Sequence, residues 1–229
     1  MTIPRFRAAI FDFDETMINL EPQHDVADSS LCRAMGNDYL EMPESFRHAS
    51  GQRVIDHIRG MKEHFGWETP MEELARVRQA KFDEACATSE IALLPGVDAA
   101  VRELARRGLT LAITSSAVGS SIEMILRRIG LRDQFALIVD GSSVTHPKPH
   151  PEPYLVTAAK LRTEPDQCVV FEDSRIGVLS AKAAGTFCVA VRNPNARTHQ
   201  DLSAADLVLD SLEQFDPVAI LSARRSNEA

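Results

Sequence analysis

Short runs of apolar residues, each bounded by polar ones, recur along much of this chain. Many of these runs contain β-branched or aromatic residues and therefore predict buried strands. In the second half, stretches with apolar positions at helical spacing separate the runs. Strands that alternate with helices indicate right-handed βαβ units and a parallel sheet. The predicted strands cover residues 8–11, 109–113, 135–139, 167–171, 187–191 and 207–209.

A different pattern fills the chain between the first two runs. From residue 20 to residue 88, apolar residues recur at helical spacing, and no segment convincingly indicates a strand. Because the first strand has to join the sheet across this stretch, we expect the stretch to be an insertion. The predicted fold is α/β, a Rossmann-like parallel sheet core with an inserted all-helical domain. The predicted limits are 1–19 and 93–229 for the core domain, 20–92 for the inserted domain and 212–221 for the last helix.

Composition and charge narrow the classes of function. The chain has 229 residues, 44% of them hydrophobic, so it can bury a sizeable core. Its net charge of −8 disfavours nucleic acids and anionic membranes as partners. The four cysteines form no C-x-x-C pair, and no apolar run is long enough for a signal core or a membrane span. We therefore expect a soluble, cytoplasmic protein, monomeric by default, that binds neither nucleic acid nor membrane.

Two carboxylates stand at the end of the first predicted strand. Asp12 and Asp14 are two residues apart, and in an extended segment such side chains point the same way. One carboxylate of such a pair can act as a nucleophile and the other as a general acid and base. Hard oxygen ligands at a strand end also suit Mg²⁺. Taken alone, the pair is equally typical of a solvated, Asp-rich turn.

Further polar residues follow other predicted strands or lie in the next loop. They are Thr114 and Ser115, Lys148, and Glu172 with Asp173. A parallel sheet brings the carboxyl ends of its strands to one edge, where ligands bind in α/β proteins. With the aspartates, these groups form a set for phosphoryl transfer: a nucleophile, an acid/base, hydrogen-bond donors, a cation and metal ligands. Taken singly, the first pair could cap the following helix, and the lysine could be a solvated loop residue.

With these motifs in order, the chain resembles the haloacid dehalogenase superfamily, in its phosphatase and β-phosphoglucomutase-like branch. The first motif is D-x-D-x-T at residues 12–16, and the second is the apolar strand that ends in residues 114–116. The third is Lys148 in a proline-rich loop, and the fourth is the apolar strand that ends in residues 172–174. The resemblance covers the whole chain and implies that the inserted helical domain is a cap.

The resemblance implies a role for each carboxylate. Asp12 would attack phosphorus and form an aspartyl-phosphate, and Asp14 would act as general acid and then as the base that activates water. Mg²⁺ would be held by the Asp12 carboxylate, the Asp14 main-chain carbonyl and Asp173. Glu172 would lie nearby or act through water. Elementary electrostatics agrees, since charge on the transferring phosphoryl oxygens needs a metal and a fixed cation.

Three further groups would hold the phosphoryl group. By the same resemblance, Thr114, the amide of Ser115 and Lys148 would bind the phosphoryl oxygens. The lysine would also partly offset the charge of an otherwise strongly acidic site.

Substrate contacts are expected in the cap. His24 matches a histidine that lies near the active site in relatives such as β-phosphoglucomutase, and the alternative is an exposed helical histidine. Residues 47–53 fall where the family has its substrate-specificity loop, and Ser50 is a candidate substrate contact there. The spacing of Cys and His residues along the chain does not predict a zinc site.

Besides Asn19 and Leu20 at the predicted cap hinge, the chain departs from the family pattern in two places. Glu15 stands where the family usually has Gly, so it places an extra carboxylate beside the nucleophile. In the specificity loop, His48 and Gly51 replace the Gly and Arg of the mutase. The second departure disfavours sugar-phosphate mutase activity.

Three functions remain open from the sequence. The first is a Mg²⁺-dependent phosphatase that acts on a small phosphorylated metabolite through an aspartyl-phosphate. The second is a sugar-phosphate mutase, and the third is a non-catalytic protein that binds a phosphorylated ligand. Within this superfamily, the activity of a 2-haloacid dehalogenase is disfavoured by Asp14, because an ester leaving group needs that acid and a halide does not.

Overall fold

A computed structural model describes residues 6–47, 53–196 and 199–222. Six strands form one parallel sheet, so the predicted sheet is confirmed. The second and fourth strands begin and end one residue later than predicted. The strands are β1 Ala8–Phe11, β2 Thr110–Thr114, β3 Phe135–Val139, β4 Cys168–Glu172, β5 Phe187–Val191 and β6 Leu207–Leu209.

Strand β1 lies in the interior of the sheet, whose order is β3-β2-β1-β4-β5-β6. Its last residue, Phe11, pairs with Ile113 of β2 on one side and with Phe171 of β4 on the other. Alternate residues of β1 belong to two separate hydrophobic clusters, one on each face of the sheet. The residues that follow β1 therefore emerge between the carboxyl ends of two neighbouring strands.

Nine α-helices lie in the part of the chain that the structure describes. Five come between β1 and β2, and the other four alternate with or follow the remaining strands. They are α1 Glu21–Ala34, α2 Glu44–Arg47, α3 Val54–Phe65, α4 Met71–Thr88, α5 Val97–Arg106, α6 Gly119–Arg128, α7 Glu152–Lys160, α8 Arg175–Ala183 and α9 Pro217–Ser222.

The C-terminal segment differs from the predicted single helix over 212–221. A 3₁₀ turn at Leu212–Gln214 is followed by a break and then by α9. Pro217 explains the break, because the residue before a proline disfavours helical conformation. Asp216 caps the new helix, since its Oδ1 accepts a hydrogen bond from the backbone N–H of Val218 at 2.8 Å.

Helices α1 to α4 form the inserted helical domain that the sequence predicts. They enclose a hydrophobic cluster of their own, in which Leu31, Met61 and Leu74 are fully buried. An antiparallel bridge joins Ile18 to Leu93, near the points where the chain leaves and re-enters the core. The inserted domain is therefore confirmed, and its exact limits stay a prediction.

Helix α4 of the cap also packs against the core. Phe82 and Cys86 on this helix belong to one of the clusters beside the sheet rather than to the cap's own cluster. Gln79 Nε2 donates to Ser121 Oγ of α6 at 2.7 Å, and this hydroxyl donates to Asp83 Oδ1 at 2.8 Å. Apolar and polar contacts together hold the cap on the core.

All four cysteines are buried free thiols. Burial raises the pKa of Cys32, Cys86 and Cys168 to about 12, which makes these thiols poor nucleophiles. Within the described ranges, no helix has both the length and the apolar character needed to cross a membrane.

Candidate active site

The residues after β1 bring three separate segments of the chain together. The backbone N–H of Asp12 donates to the carbonyl of Phe171 at 2.9 Å, which extends the β1–β4 ladder and fixes the carboxylate at the sheet edge. Asp12 Oδ1 accepts from Lys148 Nζ at 2.6 Å. Thr16 Oγ1 donates to Asp173 Oδ1 at 2.8 Å and lies 3.4 Å from Asp12 Oδ2. The residues of the first, third and fourth motifs therefore meet at one place.

Glu172 fixes the position of the Lys148 side chain. Its Oε1 accepts from Lys148 Nζ and from the hydroxyl of Tyr154, both at 2.5 Å. Its Oε2 accepts from the next two backbone N–H groups and from Ser174 Oγ. Gly177 is required here, because a Cβ at that position would lie only 1.9 Å from the carboxylate. Glu172 is fully buried, and its hydrogen bonds fix Lys148 against the nucleophile candidate.

The buried charges at this edge do not balance. The carboxylates of Asp12, Glu172 and Asp173 cluster here, and the ammonium group of Lys148 contacts the first two. Burial, together with the charge of Glu172, raises the pKa of Asp12 to about 7 despite the lysine. Burial and the neighbouring carboxylates also raise the pKa of Asp173 well above its usual value. Burial opposes the charge of Lys148, but the carboxylates outweigh it and raise the pKa of the lysine.

This donor set fits a hard divalent cation. One carboxylate oxygen from each of Asp12, Glu172 and Asp173 can be chosen so that all three lie within 4.8 Å of one another. Oxygen ligands of this kind are those that Mg²⁺ prefers, and an added cation would offset the surplus negative charge. The side chain of Asp14 makes its contacts elsewhere, so only its main chain remains a candidate ligand.

A cavity that is open to solvent lies beside Lys148, next to the acidic cluster. Thr114, Ser115 and Lys148 line it from the core, and Arg53 lines it from the cap. The hydroxyl of Thr114 shares a hydrogen bond of 2.6 Å with Thr157 Oγ1 of α7. The cavity therefore combines hydroxyl groups with two cations, which suits the oxygens of a phosphate group.

One predicted donor is wrong. The backbone N–H of Ser115 does not face the cavity, because it donates to the carbonyl of Val139 at 3.0 Å. Strand β2 ends one residue later than predicted, so this amide continues the β2–β3 ladder. Only the side chain of Ser115 can serve a phosphate group, and its Oγ already accepts from the backbone N–H of Ala117 at 3.1 Å.

Asp14 is held away from the acidic cluster by α1. Its Oδ1 accepts from the backbone N–H of Leu20 at 3.2 Å, and its Oδ2 lies 2.7 Å from His24 Nε2. His24 Nδ1 lies 2.9 Å from Arg78 Nη2, and a guanidinium group can only donate. Nδ1 therefore accepts, and Nε2 carries the proton and donates it to Asp14. The imidazole also stacks on Phe82, at 4.5 Å between ring centroids, so the alternative of an exposed helical histidine is wrong.

Arg78 belongs to a second buried cluster, inside the cap. Its Nε donates to Asp28 Oδ1 at 2.5 Å, and its Nη2 lies 3.2 Å from Asp28 Oδ2. His57 Nε2 lies 3.4 Å from the same Oδ2. Burial alone would raise the pKa of Asp28, but the guanidinium and the imidazole hold that pKa well below its usual range. The pair fixes the imidazole of His24 through Arg78.

Known proteins with related sequences agree with this geometry. Residues 9–191 match the sequence profile of the haloacid dehalogenase-like hydrolases. The chain belongs to this family. Hexitol phosphatase B of Escherichia coli K12 is 31% identical over 94% of this chain and 97% of its own length. The family inferred from the four motifs is therefore confirmed.

Solved structures of the family share the fold. CbbY from Rhodobacter sphaeroides, in complex with phosphate, has a TM-score of 0.83 at 28% identity and covers 91% of this chain and 96% of its own. A β-phosphoglucomutase from Clostridium difficile has a TM-score of 0.80 at 24% identity, over 94% of this chain and 95% of its own, and shows the common fold. The Rossmann-like core with its inserted cap is thus the architecture of the family.

The structure brings most of the predicted site residues of this hydrolase together. The acidic cluster, the lysine and the hydroxyl groups meet at the carboxyl edge of β1, β2 and β4, as expected for a parallel sheet. His24 lies against Asp14 rather than in the cavity beside Thr114. Ser50 lies outside the described residues, as do His48 and Gly51, so its role as a substrate contact stays a prediction.

Several residues at the site are not predicted from the sequence. The sequence assigns no role to Arg78, Asp28 or Tyr154, and their contacts depend on how α1, α4 and α7 pack. One signal was available: His24 and Asp28 are four residues apart, and residues at that spacing share a face of a helix. Arg53 is the last residue of the predicted specificity loop, and the sequence gives no separate signal for it.

Proposed function

We propose that this protein is a Mg²⁺-dependent phosphatase that hydrolyses a small phosphorylated metabolite through an aspartyl-phosphate on Asp12. This proposal rests on one observation: two neighbouring carboxylates lie in different surroundings. Asp12 lies in the acidic cluster beside Lys148, and Asp14 is held separately by His24. Two carboxyl groups in such different surroundings can take the roles of nucleophile and acid/base.

In the first step, a carboxylate oxygen of Asp12 attacks phosphorus. The bond between phosphorus and the ester oxygen breaks, and the leaving oxygen takes the proton of Asp14. The products are an alcohol and the aspartyl-phosphate. Lys148, fixed by Glu172, offsets the charge that collects on the phosphoryl oxygens. The side chains of Thr114 and Ser115 complete the phosphate-binding surface.

In the second step, a water molecule attacks phosphorus and gives its proton to Asp14. The bond between phosphorus and Asp12 breaks, and inorganic phosphate leaves. The hydrogen bonds from His24 and from the Leu20 backbone keep the Asp14 carboxylate in one orientation for both steps. Asp14 thus receives in the second step the proton that it gave in the first.

The carboxylates are suited to a metal ion as well as to these steps. Asp12 and Asp173, with the Asp14 main-chain carbonyl and with Glu172 nearby, would hold Mg²⁺. When bound, the ion supplies positive charge for the phosphoryl oxygens and keeps the Asp12 carboxyl ionised. The raised pKa values of Asp12 and Asp173 support this assignment, because they mark a site that is short of positive charge.

The names of the relatives support the phosphatase class. One is named hexitol phosphatase B, and CbbY was solved with phosphate bound. A sensible substrate panel therefore begins with hexitol phosphates and sugar phosphates and extends to nucleotides and phosphorylated acids. The chemistry of the core does not choose among them.

Phosphate release from this panel, with Mg²⁺ or with a chelator, tests the proposal. We expect release that requires Mg²⁺ and that is lost in Asp12→Asn. Asp166→Asn is the matched control, because Asp166 is exposed and precedes β4 at the opposite end of the strand. Isomerised sugar phosphate without released phosphate would favour a mutase. Binding without any turnover would favour a non-catalytic ligand-binding protein.

A further inference from the structure

A second group of metal-ligating side chains lies outside the acidic cluster, on the loop between β3 and α7 and on the first residue of α7. His146, His150 and Glu152 each offer one ligand atom, and these atoms lie within 4.8 Å of one another. His146 Nδ1 is 2.6 Å from Glu152 Oε2, and His150 Nδ1 is 4.0 Å from the same oxygen. The two imidazole rings lie side by side, at 4.6 Å between centroids. Both histidines are exposed, so the group is open to solvent.

The backbone of the loop holds this group in place. The N–H groups of Thr145 and His146 donate to the two carboxylate oxygens of Glu152 at 2.6 and 3.0 Å. The carbonyl of His150 accepts from Ser180 Oγ of α8 at 2.6 Å. The three ligand atoms therefore lie close together before an ion binds, and His150 Nδ1 has to give up the hydrogen bond that it accepts from the backbone N–H of Glu152 at 3.2 Å.

The donor set points to a different metal from that of the acidic cluster, and to one that the spacing of Cys and His residues along the chain does not predict. Two imidazoles with one carboxylate suit the first-row transition metals, whereas Mg²⁺ prefers oxygen ligands alone. In the structure, a proton joins His146 Nδ1 to Glu152 Oε2. A divalent ion can take the place of this proton and gain His150 as its third protein ligand, with water in the open position.

We propose that His146, His150 and Glu152 form a surface site for a divalent transition-metal ion, with Zn²⁺ as the test ion. The site is separate from the acidic cluster and does not depend on the proposed phosphatase function. Lys148 lies between the two histidines in the chain, so a bound ion would tie together both sides of the loop that carries the lysine. The bound ion would also stabilise the folded protein, because the site does not exist in the unfolded chain.

Calorimetric titration of Zn²⁺ into the full chain, prepared without a polyhistidine tag, tests the proposal. Millimolar Mg²⁺ is present throughout, because it competes for the acidic cluster and leaves the imidazole site open. We expect one Zn²⁺ per chain and a rise in melting temperature on binding. The double variant His146→Asn/His150→Asn should weaken the affinity by at least about tenfold, the lower end of what an outer-shell change costs.

Two controls make the result decisive. His64→Asn removes an exposed histidine from α3 of the cap and should leave Zn²⁺ binding unchanged. Because both loop histidines are exposed, the double variant should keep the melting temperature of the metal-free protein, which separates lost binding from lost folding. The proposal is overturned if the wild type binds no Zn²⁺ under these conditions, or if the double variant binds it as tightly as the wild type.

Discussion

The core and the cap each contain a cluster of buried charges, and the two clusters differ in balance. In the core, three carboxylates lie together, and the ammonium group of Lys148 contacts two of them. In the cap, Asp28 pairs with the guanidinium group of Arg78, and the imidazole of His57 lies 3.4 Å away. The core cluster is short of positive charge, whereas the cap cluster has a cation for its carboxylate.

The two aspartates show what this difference does. Burial pushes the pKa of Asp12 and of Asp28 in the same direction, upwards, and it is the largest influence on both. Yet the pKa of Asp12 rises to about 7, and that of Asp28 falls well below its usual range. The partners decide the outcome: Asp12 shares one lysine with other carboxylates, and Asp28 has an arginine of its own.

The difference also separates a functional cluster from a structural one. A buried site that lacks a counter-charge is costly to the fold, and such sites concentrate where a ligand or metal ion supplies the missing charge. A balanced buried pair instead fixes geometry, and here it fixes the imidazole that contacts Asp14. Four experiments can break or sharpen this distinction.

The largest effect is expected from breaking the balanced pair. Arg78→Met leaves Asp28 buried and charged without its guanidinium partner, which should lower the free energy of unfolding by about 3–5 kcal/mol. Urea unfolding measures the change. Arg76→Met is the matched control, because Arg76 is exposed on the same helix. Equal losses in the two variants would show that the pair adds no stability.

The unbalanced cluster should reveal itself in the pH dependence of stability. The pKa of Asp12 rises from 3.8 to about 7 on folding, so between these values the folded protein holds a proton that the unfolded chain has released. Raising the pH through this window therefore destabilises the metal-free protein, by about 1.4 kcal/mol per pH unit and about 4 kcal/mol in all. Above the folded pKa no further loss is expected from this group.

The difference between wild type and Asp12→Asn isolates this contribution. Without metal, the unfolding free energies of the two proteins should differ by a constant amount at acidic pH. Towards neutral pH, the wild type should lose stability relative to the variant, so that the variant becomes the more stable. Adding Mg²⁺ should remove most of the wild-type slope, because the cation takes the place of the proton. Parallel pH profiles for the two proteins would contradict an unbalanced cluster around Asp12.

A smaller effect is expected at His24, which connects the cap cluster to Asp14. The imidazole donates to the Asp14 carboxylate, and a hydrogen bond to a charged group contributes about 1.5–3 kcal/mol. His24→Phe should therefore lower kcat by roughly 10–150-fold while KM changes little. Steady-state phosphate release measures both constants, and His64→Phe in the same domain is the control. A change confined to KM would indicate that His24 binds substrate rather than positions Asp14.

The sequence was most informative where chain order and geometry coincide. In a parallel sheet, the carboxyl ends of strands share one edge, so Asp12 and Asp173 were predictable as neighbours although far apart in the chain. Lys148 was predictable only through its motif, because it lies in a loop. The fold followed from the same logic, since alternating strands and helices leave few arrangements other than a parallel sheet.

Details that depend on register or on helix packing were not predictable. The Ser115 amide was expected to bind phosphate, but a strand end displaced by one residue places that amide in the sheet ladder. Arg78 and Asp28 lie on different helices, and apolar periodicity says which face of a helix is buried without saying which polar groups will pair inside. Their contact follows from the packing of α1 against α4.

The smallest effect is expected at Glu15, a further carboxylate beside the core cluster. Glu15 has a φ of 67°, a left-handed conformation that costs a residue with a side chain about 1–2 kcal/mol and suits glycine. Its charge also contributes to the raised pKa of Asp173. Against these, its Oε2 accepts a hydrogen bond from Asn193 Nδ2, with a net contribution of about 0.5–1.5 kcal/mol.

Glu15→Gly relieves the backbone strain at this position and the repulsion between carboxylates. It also removes the hydrogen bond to Asn193 and increases the conformational entropy that the chain loses on folding. We expect a net gain of about 0.5 kcal/mol in the unfolding free energy of the metal-free protein, and less with Mg²⁺ bound, because the cation already offsets the charge. Asn193→Ala is the comparison variant, since it removes the same hydrogen bond without relieving the strain or the repulsion. It also removes the hydrogen bond that Asn193 Oδ1 accepts from the backbone N–H of Asn195 at 2.8 Å, so it should destabilise. If Glu15→Gly destabilises as much as Asn193→Ala, the hydrogen bond outweighs the repulsion, and the charge imbalance of the core cluster does not extend to Glu15.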